Sequence, residues 1–494
     1  MLIPHWPIYT GPNKDFEHTI ERVKHILQKL GNPQMKMKNI IHITGTKGKG
    51  STALYISNIL RTSGYKVNTY TSPHIYECNE RILLDGKKIT DNELYEATEA
   101  VRLICEEGKN KENPIEPAMF EALTCSAFYV MAKNEADFNV IEVGMGARMD
   151  ATNVFDDNPP IACVFTPIHL DHTKFLGTKI EDVAYNKSFL IKSGVKNVIL
   201  SSQAKEAKAV LIKKGIECGL PRNKIICYGD DYEVFKGIVD NNIDDIDIDK
   251  NELQTQPRFN EDGDEIQSQK PFFESQLFDT CFPFHEPNMV GDYQLVNAGC
   301  AIATCLACQQ DGLIDNLSID TINEGIAKTI NIVRMQQITE GKLFNLLPKG
   351  SIFYVDGAHN QLAAHALATF INEFKQKEAQ KNTMDEYQDY KIVVAVARTK
   401  GVNNEAFLQE FFDEQNKSII DLLICTRANL ESIPEPPEII ANACKKLELN
   451  YSIAYDITQV VQQACAFAKK QKLLLICTGS LYVARDIHFA NNAN

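Results

Sequence analysis

The sequence predicts an α/β protein: a mainly parallel, doubly wound sheet built on a P-loop-type unit, followed by a smaller, Rossmann-like α/β domain. Three observations carry that prediction. Short β-branched runs alternate with helical stretches from Ile40 to about residue 225, the signature of βαβ units. The alternation resumes at Ile352, after an acidic polar stretch and a helical run from Gly291. The first run, Ile40-Ile41-His42-Ile43-Thr44, turns through Gly45-Thr46-Lys47-Gly48-Lys49-Gly50 and opens a helix at Ser51-Thr52. At 494 residues the chain exceeds one ordinary core, so two domains are expected, 1–335 and 340–494.

Composition narrows the class. The chain is 44% hydrophobic and 23% charged, which suits a soluble globular protein. Its net charge of −14 argues against nonspecific binding to nucleic acid or to an anionic membrane. Part of that charge is local: from Asp240 to Glu265, ten acidic and two basic residues leave a net of −8. A solvated, flexible insertion is therefore expected over about 230–285. Fourteen scattered cysteines fit a reducing compartment, and Cys305-Leu306-Ala307-Cys308 lies in an apolar helical run that favours core packing over metal or redox chemistry. No apolar run reaches membrane-spanning length, and the N-terminus has neither a secretory nor a transit pattern. Cytoplasm is the expected compartment, with mitochondrial import left open.

Taken in order, residues 16–31 have helical periodicity and stop at Gly31-Asn32-Pro33. The glycine-lysine loop then suits a phosphate chain: glycine permits close approach of backbone N–H groups, and the helix N-terminus adds its positive dipole end. Lys49 would neutralise phosphate charge, and Ser51 or Thr52 would offer a hydroxyl to Mg²⁺. The next strand delivers Thr71-Ser72-Pro73-His74 at its C-terminal end, where ligands gather in open α/β sheets, and Glu80-Arg81-Ile82 follows. An apolar helix over 117–132 starts with Phe120-Glu121. The strand Asn139-Val140-Ile141-Glu142 ends in a carboxylate placed to hold Mg²⁺ beside a phosphate loop. A further strand opens onto His169-Leu170-Asp171-His172, with Lys187 fifteen positions beyond His172; phosphate and magnesium chemistry suits this group better than zinc. In the C-terminal half, Arg334 is an arginine able to reach a phosphate. Ile352-Phe353-Tyr354-Val355-Asp356-Gly357-Ala358-His359 opens the second α/β series. Strands are expected at 391–397, 421–425 and 473–477, the last leading to Gly479-Ser480-Leu481-Tyr482.

The motifs Gly45 to Ser51, Tyr70 to His74, Glu80-Arg81-Ile82, Phe120-Glu121, Glu142 to Gly146, Arg148 to Asn153, Leu170-Asp171-His172, Asp356 to Asn360 and Gly479 to Tyr482 occur in one order. Together they resemble folylpolyglutamate synthase and the bifunctional dihydrofolate synthase form, within the Mur ligase superfamily. The resemblance spans most of the chain outside roughly 230–285. It implies an ATP-dependent ligase that activates a folate carboxylate as an acyl phosphate and joins L-glutamate to it.

Position by position, the resemblance implies that Gly45, Thr46, Lys47, Gly48, Lys49, Gly50 and Ser51 bind the triphosphate, with Asn297, Arg334 and Asp356 as further ATP contacts. Ser72, Glu142 and His172 would be magnesium ligands, and Lys187 matches a lysine that the family carbamylates. Catalysis would rest on Lys49, Glu142, His172 and Lys187. Ala118, Met119, Phe120 and Glu121, with Met149, Asp150 and Ala151, match the pteroate-binding segments. Arg81, His359 and Ser480 are further substrate candidates. The resemblance also implies a monomer with small-molecule partners, and a site that draws on both domains. The chain departs from the family pattern at Lys47, Ala147, Ser188-Phe189, Asn331-Ile332 and Gln361, where asparagine, glycine, Ala-Gly, Trp-Pro and proline are usual. A dihydrofolate synthase without chain extension, and a nucleotide-binding protein without turnover, remain the alternatives.

Overall fold

The computed structural model describes residues 17–108, 115–171, 173–240, 267–289, 291–330, 335–380, 390–412, 418–429 and 433–492. It divides into two compact units, meeting in sequence near residue 330.

The first unit runs α1 (Thr19–Lys29), β1 (Ile40–Thr44), α2 (Lys49–Thr62), β2 (Val67–Tyr70), β3 (Ile82–Leu84), β4 (Lys87–Lys88), α3 (Asp91–Gly108), α4 (Met119–Lys133), β5 (Phe138–Glu142) and β6 (Ala162–Phe165). It continues with α5 (Thr173–Leu176), α6 (Ile180–Ser188), β7 (Asn197–Leu200), α7 (Lys205–Glu217), β8 (Ile225–Cys227), β9 (Glu233–Asp240), β10 (Gln267–Ser275), β11 (Thr280–Pro283), α8 (Tyr293–Gln310) and α9 (Ile319–Ala327). Its main sheet has the order β4-β3-β2-β5-β1-β6-β7-β8. The six strands from β2 to β8 are parallel, with Ile43 of β1 level with Glu142 of β5 and Val164 of β6. Every residue of β1, β2, β5, β6 and β7 is buried, which is why these strands read as continuous apolar runs rather than alternating ones. One face packs on α1, α3 and α4, including Val23, Leu27, Val101, Leu123 and Phe128. On the other, Cys163 and Phe165 of β6 and Val198 and Leu200 of β7 meet α6 and α7. Helix α2 packs on α8 and α9.

One expectation is corrected here. The stretch expected to be a flexible insertion over about 230–285 supplies a three-stranded antiparallel sheet, β11-β10-β9. The acidic count hid an aromatic pattern: Phe272, Phe273 and Phe282 are buried, and Phe235 stacks on Phe272 at 5.5 Å between ring centroids. Val234 also packs against Gly299 of α8. Phe235 and Phe272 stack on one face of the strands and Phe273 and Phe282 meet on the other, so both faces carry aromatic rings. Residues 241–266, with most of the acidic run, lie outside the described residues.

The second unit comprises β12 (Gln336–Ile338), β13 (Ile352–Val355), α10 (Gln361–Gln380), β14 (Lys391–Ala397), α11 (Asn404–Gln409), β15 (Leu422–Thr426), α12 (Pro437–Lys446), β16 (Tyr451–Ile453), α13 (Ile457–Ala468), β17 (Leu473–Thr478) and α14 (Leu481–Asn492). Its sheet order is β12-β13-β17-β14-β15-β16, parallel except for β12. Ile392, Val394 and Val396 point to the face covered by α10, α11 and α12. The three expected strands are β14, β15 and β17; the short edge strands β12 and β16 carried too few residues to show a period.

Candidate active site

The phosphate loop sits at the C-terminal end of β1, with β5 and β6 on either side, the crevice at which an open parallel sheet binds ligands. Gly48 immediately precedes α2 with φ +83°, and a Cβ there would stand 2.4 Å from Asn297 Oδ1. Glycine is therefore required twice, by conformation and by the approach of α8. The first hydrogen bond of α2 runs from Thr52 N–H to Gly48 O at 2.8 Å, so the N–H groups of Lys49 and Gly50 precede the helical ladder. By contrast, Thr46 and Lys47 N–H donate to Pro167 O at 3.0 and 3.4 Å. The N–H groups of Lys49 and Gly50 at the start of α2, rather than the whole glycine-lysine run, are thus the ones this conformation leaves for an anion.

Two lysines converge on one carbonyl. Lys187 Nζ donates to Gly45 O at 2.8 Å, and Lys49 Nζ reaches the same oxygen at 3.3 Å. Lys187 is only 3% exposed, and burial pushes its pKa down to about 7; Lys49 pushes it the same way, while Asp171 and Asp150 oppose. Its amine is accordingly part neutral at physiological pH. Burial and Lys47 lower the pKa of His169, whose backbone is tied to Thr46 through Thr46 Oγ1.

Glu142, at the end of β5, is buried and accepts a hydrogen bond from Ser72 N–H at 2.8 Å. A carboxylate and a hydroxyl-bearing residue so joined offer the oxygen donors that suit a hard cation such as Mg²⁺. His172, the third residue of the implied metal set, lies outside the described residues, as does Arg334. Among the described residues there is no cluster of three or more His, Cys, Asp or Glu that could hold a metal ion.

Of the implied pteroate residues, Phe120 and Asp150 both lie against the loop that follows Glu142. The Phe120 ring closes on Gly144, where a Cβ would meet it at 2.6 Å. Tyr70 stacks on it at 6.2 Å, and the Arg81 guanidinium lies 5.9 Å from its centroid. Arg81 Nε in turn donates to His74 Nδ1 at 2.9 Å. Asp150 orients the loop after Glu142 by accepting from Met145 N–H at 2.8 Å and from Thr152 Oγ1 at 2.6 Å. Burial raises its pKa, although those hydrogen bonds and Lys49 oppose the rise. Met149 is half-buried, Ala118 caps α4, Met119 packs on the apolar core and Ala151 lies within it. Glu121 has another occupation: its carboxylate takes Arg22 at 2.7 and 3.0 Å and Thr19 Oγ1 at 3.1 Å, clamping α1 to α4.

In the second unit, Asp356, His359 and Ser480 gather at the C-terminal ends of β13 and β17. Asp356 accepts from Met335 and Ala358 N–H at 3.0 and 2.8 Å, so it holds the turn of its own loop. Ser480 is 2% exposed, and its hydroxyl accepts from Tyr482 N–H at 3.2 Å. His359 Nδ1 is 2.8 Å from Gly357 O.

Sequence reading missed three members of these networks. Arg398 is buried over the Phe407 ring at 4.1 Å, with Nη1 donating to His359 O at 2.9 Å and Nε to Asn404 Oδ1 at 3.1 Å. His42 in β1 contacts Thr152 Oγ1 at 2.9 Å, and Arg22 holds Glu121 as above. None of the three stands in a motif, so spacing offered no signal for them.

Fold and site together define a class: a phosphate-loop α/β enzyme with a second α/β unit that carries its own strand-end polar cluster. The comparisons agree. The profile of the Mur ligase middle domain matches residues 43–305, and that of the dihydrofolate synthetase C-terminal domain matches 343–489. Dihydrofolate synthetase of Saccharomyces cerevisiae is 26% identical over 96% of this chain and 98% of its own length. Folylpolyglutamate synthase of Lacticaseibacillus casei is 30% identical over 71% and 72%. The crystal structure of the folylpolyglutamate synthase of Thermotoga maritima superposes with a TM-score of 0.72 at 24% identity, covering 96% of this chain and 94% of that one. The chain belongs to the Mur ligase family, in the branch of the folylpolyglutamate and dihydrofolate synthases. Among the described residues no helix is long and apolar enough to cross a membrane.

Proposed function

We propose that this protein joins L-glutamate to a pteroate or folate carboxylate at the expense of ATP. The observation that carries this reading is the pairing of Lys49 and Lys187 on the Gly45 carbonyl, with Glu142 ending the strand next to β1. A cation at the phosphate loop, Lys49, and a carboxylate one strand away are what phosphoryl transfer to a weak nucleophile needs, since its catalysis is chiefly positioning and charge neutralisation. The acceptor carboxylate oxygen attacks the γ-phosphorus and ADP leaves. The glutamate amine then attacks the acyl carbon, phosphate departs, and an amide forms. Lys49 balances charge on the transferring phosphoryl group, and the N–H groups of Lys49 and Gly50 bind phosphate oxygens at the positive end of α2. Phe120 offers a face for the pterin ring, and the guanidinium of Arg81 stands beside it. Ser72 and Glu142 would hold Mg²⁺, which when bound supplies charge neutralisation between the phosphates. Lys187, with an amine that is part neutral near pH 7, suits carbamylation, and the carbamate would add an anionic oxygen to that set. In the second unit, His359 and Ser480 are the candidates for handling the amino acid.

The leading reading includes both dihydrofolate synthase and folylpolyglutamate synthase activity. A narrower one, dihydrofolate synthase alone, is favoured by the C-terminal match over 343–489 and by the full-length likeness to the Saccharomyces cerevisiae dihydrofolate synthetase. ADP release should be measured with Mg²⁺, ATP and L-glutamate and with dihydropteroate, tetrahydrofolate or no pterin, the products being identified by mass. Turnover with both acceptors establishes the bifunctional enzyme, and turnover with dihydropteroate alone establishes the narrower reading. No pterin-dependent ADP from folded, ATP-binding protein would overturn both.

A further inference from the structure

A crevice of about 570 Å³ in the first unit takes no part in the site described above. Its walls carry Lys24 of α1, Arg148 from the loop after β5, Asp156, Phe189, Lys192 and Lys214 of α7. Asp156 and Lys192 stand a few residues before β6 and β7, on the segments that enter the sheet from its N-terminal edge. Nearby Asn158 donates to Gln34 O and Met37 O, just ahead of β1. The phosphate loop is at the C-terminal edge, where the loop that supplies Arg148 begins.

The charges are arranged unevenly. Lys24 and Lys192 share the single carboxylate of Asp156, at 2.5 and 2.6 Å. Arg148 and Lys214 lie 5.1 and 5.3 Å from the centroid of Phe189, and among the described residues neither has a carboxylate at ion-pair distance. Four cations against one acid leave a local +3 in a chain of net charge −14. Lys24 and Arg148 are exposed and Lys192 and Lys214 partly buried, so water screens part of this charge, but the surplus still makes the crevice attractive to an anion. Phe189 is also one of the positions where this chain departs from its family's pattern, and the ring it introduces is what carries both unpaired cations. The volume is that of a small-molecule site.

We infer that this crevice binds a small organic polyanion bearing two or more carboxylate or phosphate groups, held by Arg148, Lys214 and Lys192 against Phe189. The inference is independent of which acceptor the enzyme uses. It is tested by titration calorimetry on the full-length protein, with the nucleotide site first saturated by Mg²⁺ and a non-hydrolysable ATP analogue. The probes are tri-γ-L-glutamate for the carboxylate source and tripolyphosphate for the phosphate source. At least one should bind at low salt and weaken as salt rises, because exposed charge pairs are screened. Its affinity should fall about tenfold or more, a difference of about 1.4 kcal/mol, in Arg148→Gln/Lys214→Gln, and survive in the charge-preserving Arg148→Lys/Lys214→Arg. Lys214→Gln alone, a single change on a helix surface, should show a smaller loss in the same direction and serves if the double variant does not fold. Failure of both probes to bind the wild-type protein, or equal affinity in the wild-type and charge-deleted proteins, would overturn it.

Discussion

At the scale of single residues, the site depends on a few atoms whose surroundings leave no latitude. Gly48→Ala adds a methyl group 2.4 Å from Asn297 Oδ1 at a φ of +83°. It should cost about 1–2 kcal/mol in stability and raise the KM for ATP, read by thermal melting and nucleotide titration. Lys187 is a different case, because its lowered pKa, not its bulk, is what distinguishes it. Lys187→Arg keeps a cation but has no amine to carbamylate, so turnover should drop by about a hundredfold or more and fail to respond to bicarbonate, whereas the wild-type enzyme stripped of CO₂ should regain activity when bicarbonate is added. His42 shows how burial becomes a pH dependence. Burial, reinforced by Lys192, holds its pKa at about 3, against an ordinary value of 6.5. Between those values the unfolded chain binds a proton that the folded one refuses, so its stability contribution is complete above pH 6.5 and is lost as pH falls towards 3. His42→Gln should flatten the fall of melting temperature across that window.

At the scale of elements, the clamp between α1 and α4 deserves a direct test. Arg22 and Glu121 are nearly buried, at 13% and 4% side-chain exposure, and Thr19 Oγ1 and the Ala118 N–H also donate to the carboxylate. Arg22→Ala strands that carboxylate in a low-dielectric interior and should destabilise the protein by about 3–5 kcal/mol in urea titration. Arg22→Met/Glu121→Leu should lose much less, since no unpaired charge is left behind. The element scale is also where the flanks of the acidic run depart from the expectation drawn from its charge. Composition between 240 and 265 speaks of solvent, but Phe235, Phe272, Phe273 and Phe282 on its flanks bring β9, β10 and β11 together. A strand's fate depends on the face it can bury, not on the charge of the loop beside it.

At the scale of the whole molecule, the chain has separate cores around separate sheets. Calorimetric unfolding should therefore deviate from a single two-state transition. A non-hydrolysable ATP analogue should raise the midpoint of the transition belonging to the first unit, which holds the phosphate loop, Glu142, Lys187 and Asn297. If Asp356 also contacts nucleotide, as its family position implies, the second transition should rise with it; a second midpoint that stays still would remove Asp356 from the ATP contacts.

The sequence by itself determined the parallel α/β class, the glycine-lysine turn between β1 and α2, the strand-end placement of Glu142 and Asp356, and the core role of Cys305 and Cys308, both fully buried. These features are local: strand period, glycine spacing and helix starts are set by residues a few positions apart. Only the tertiary structure decided that Lys187 would share the Gly45 carbonyl with Lys49 across 142 positions, that Glu121 would turn to Arg22 across 99, and that Arg398 would hold the His359 loop across 39. A side chain's partner is fixed by which elements the sheet order makes neighbours, and its pKa by the burial and charges that result. That information resides in the packing of distant segments and in no single stretch of the chain.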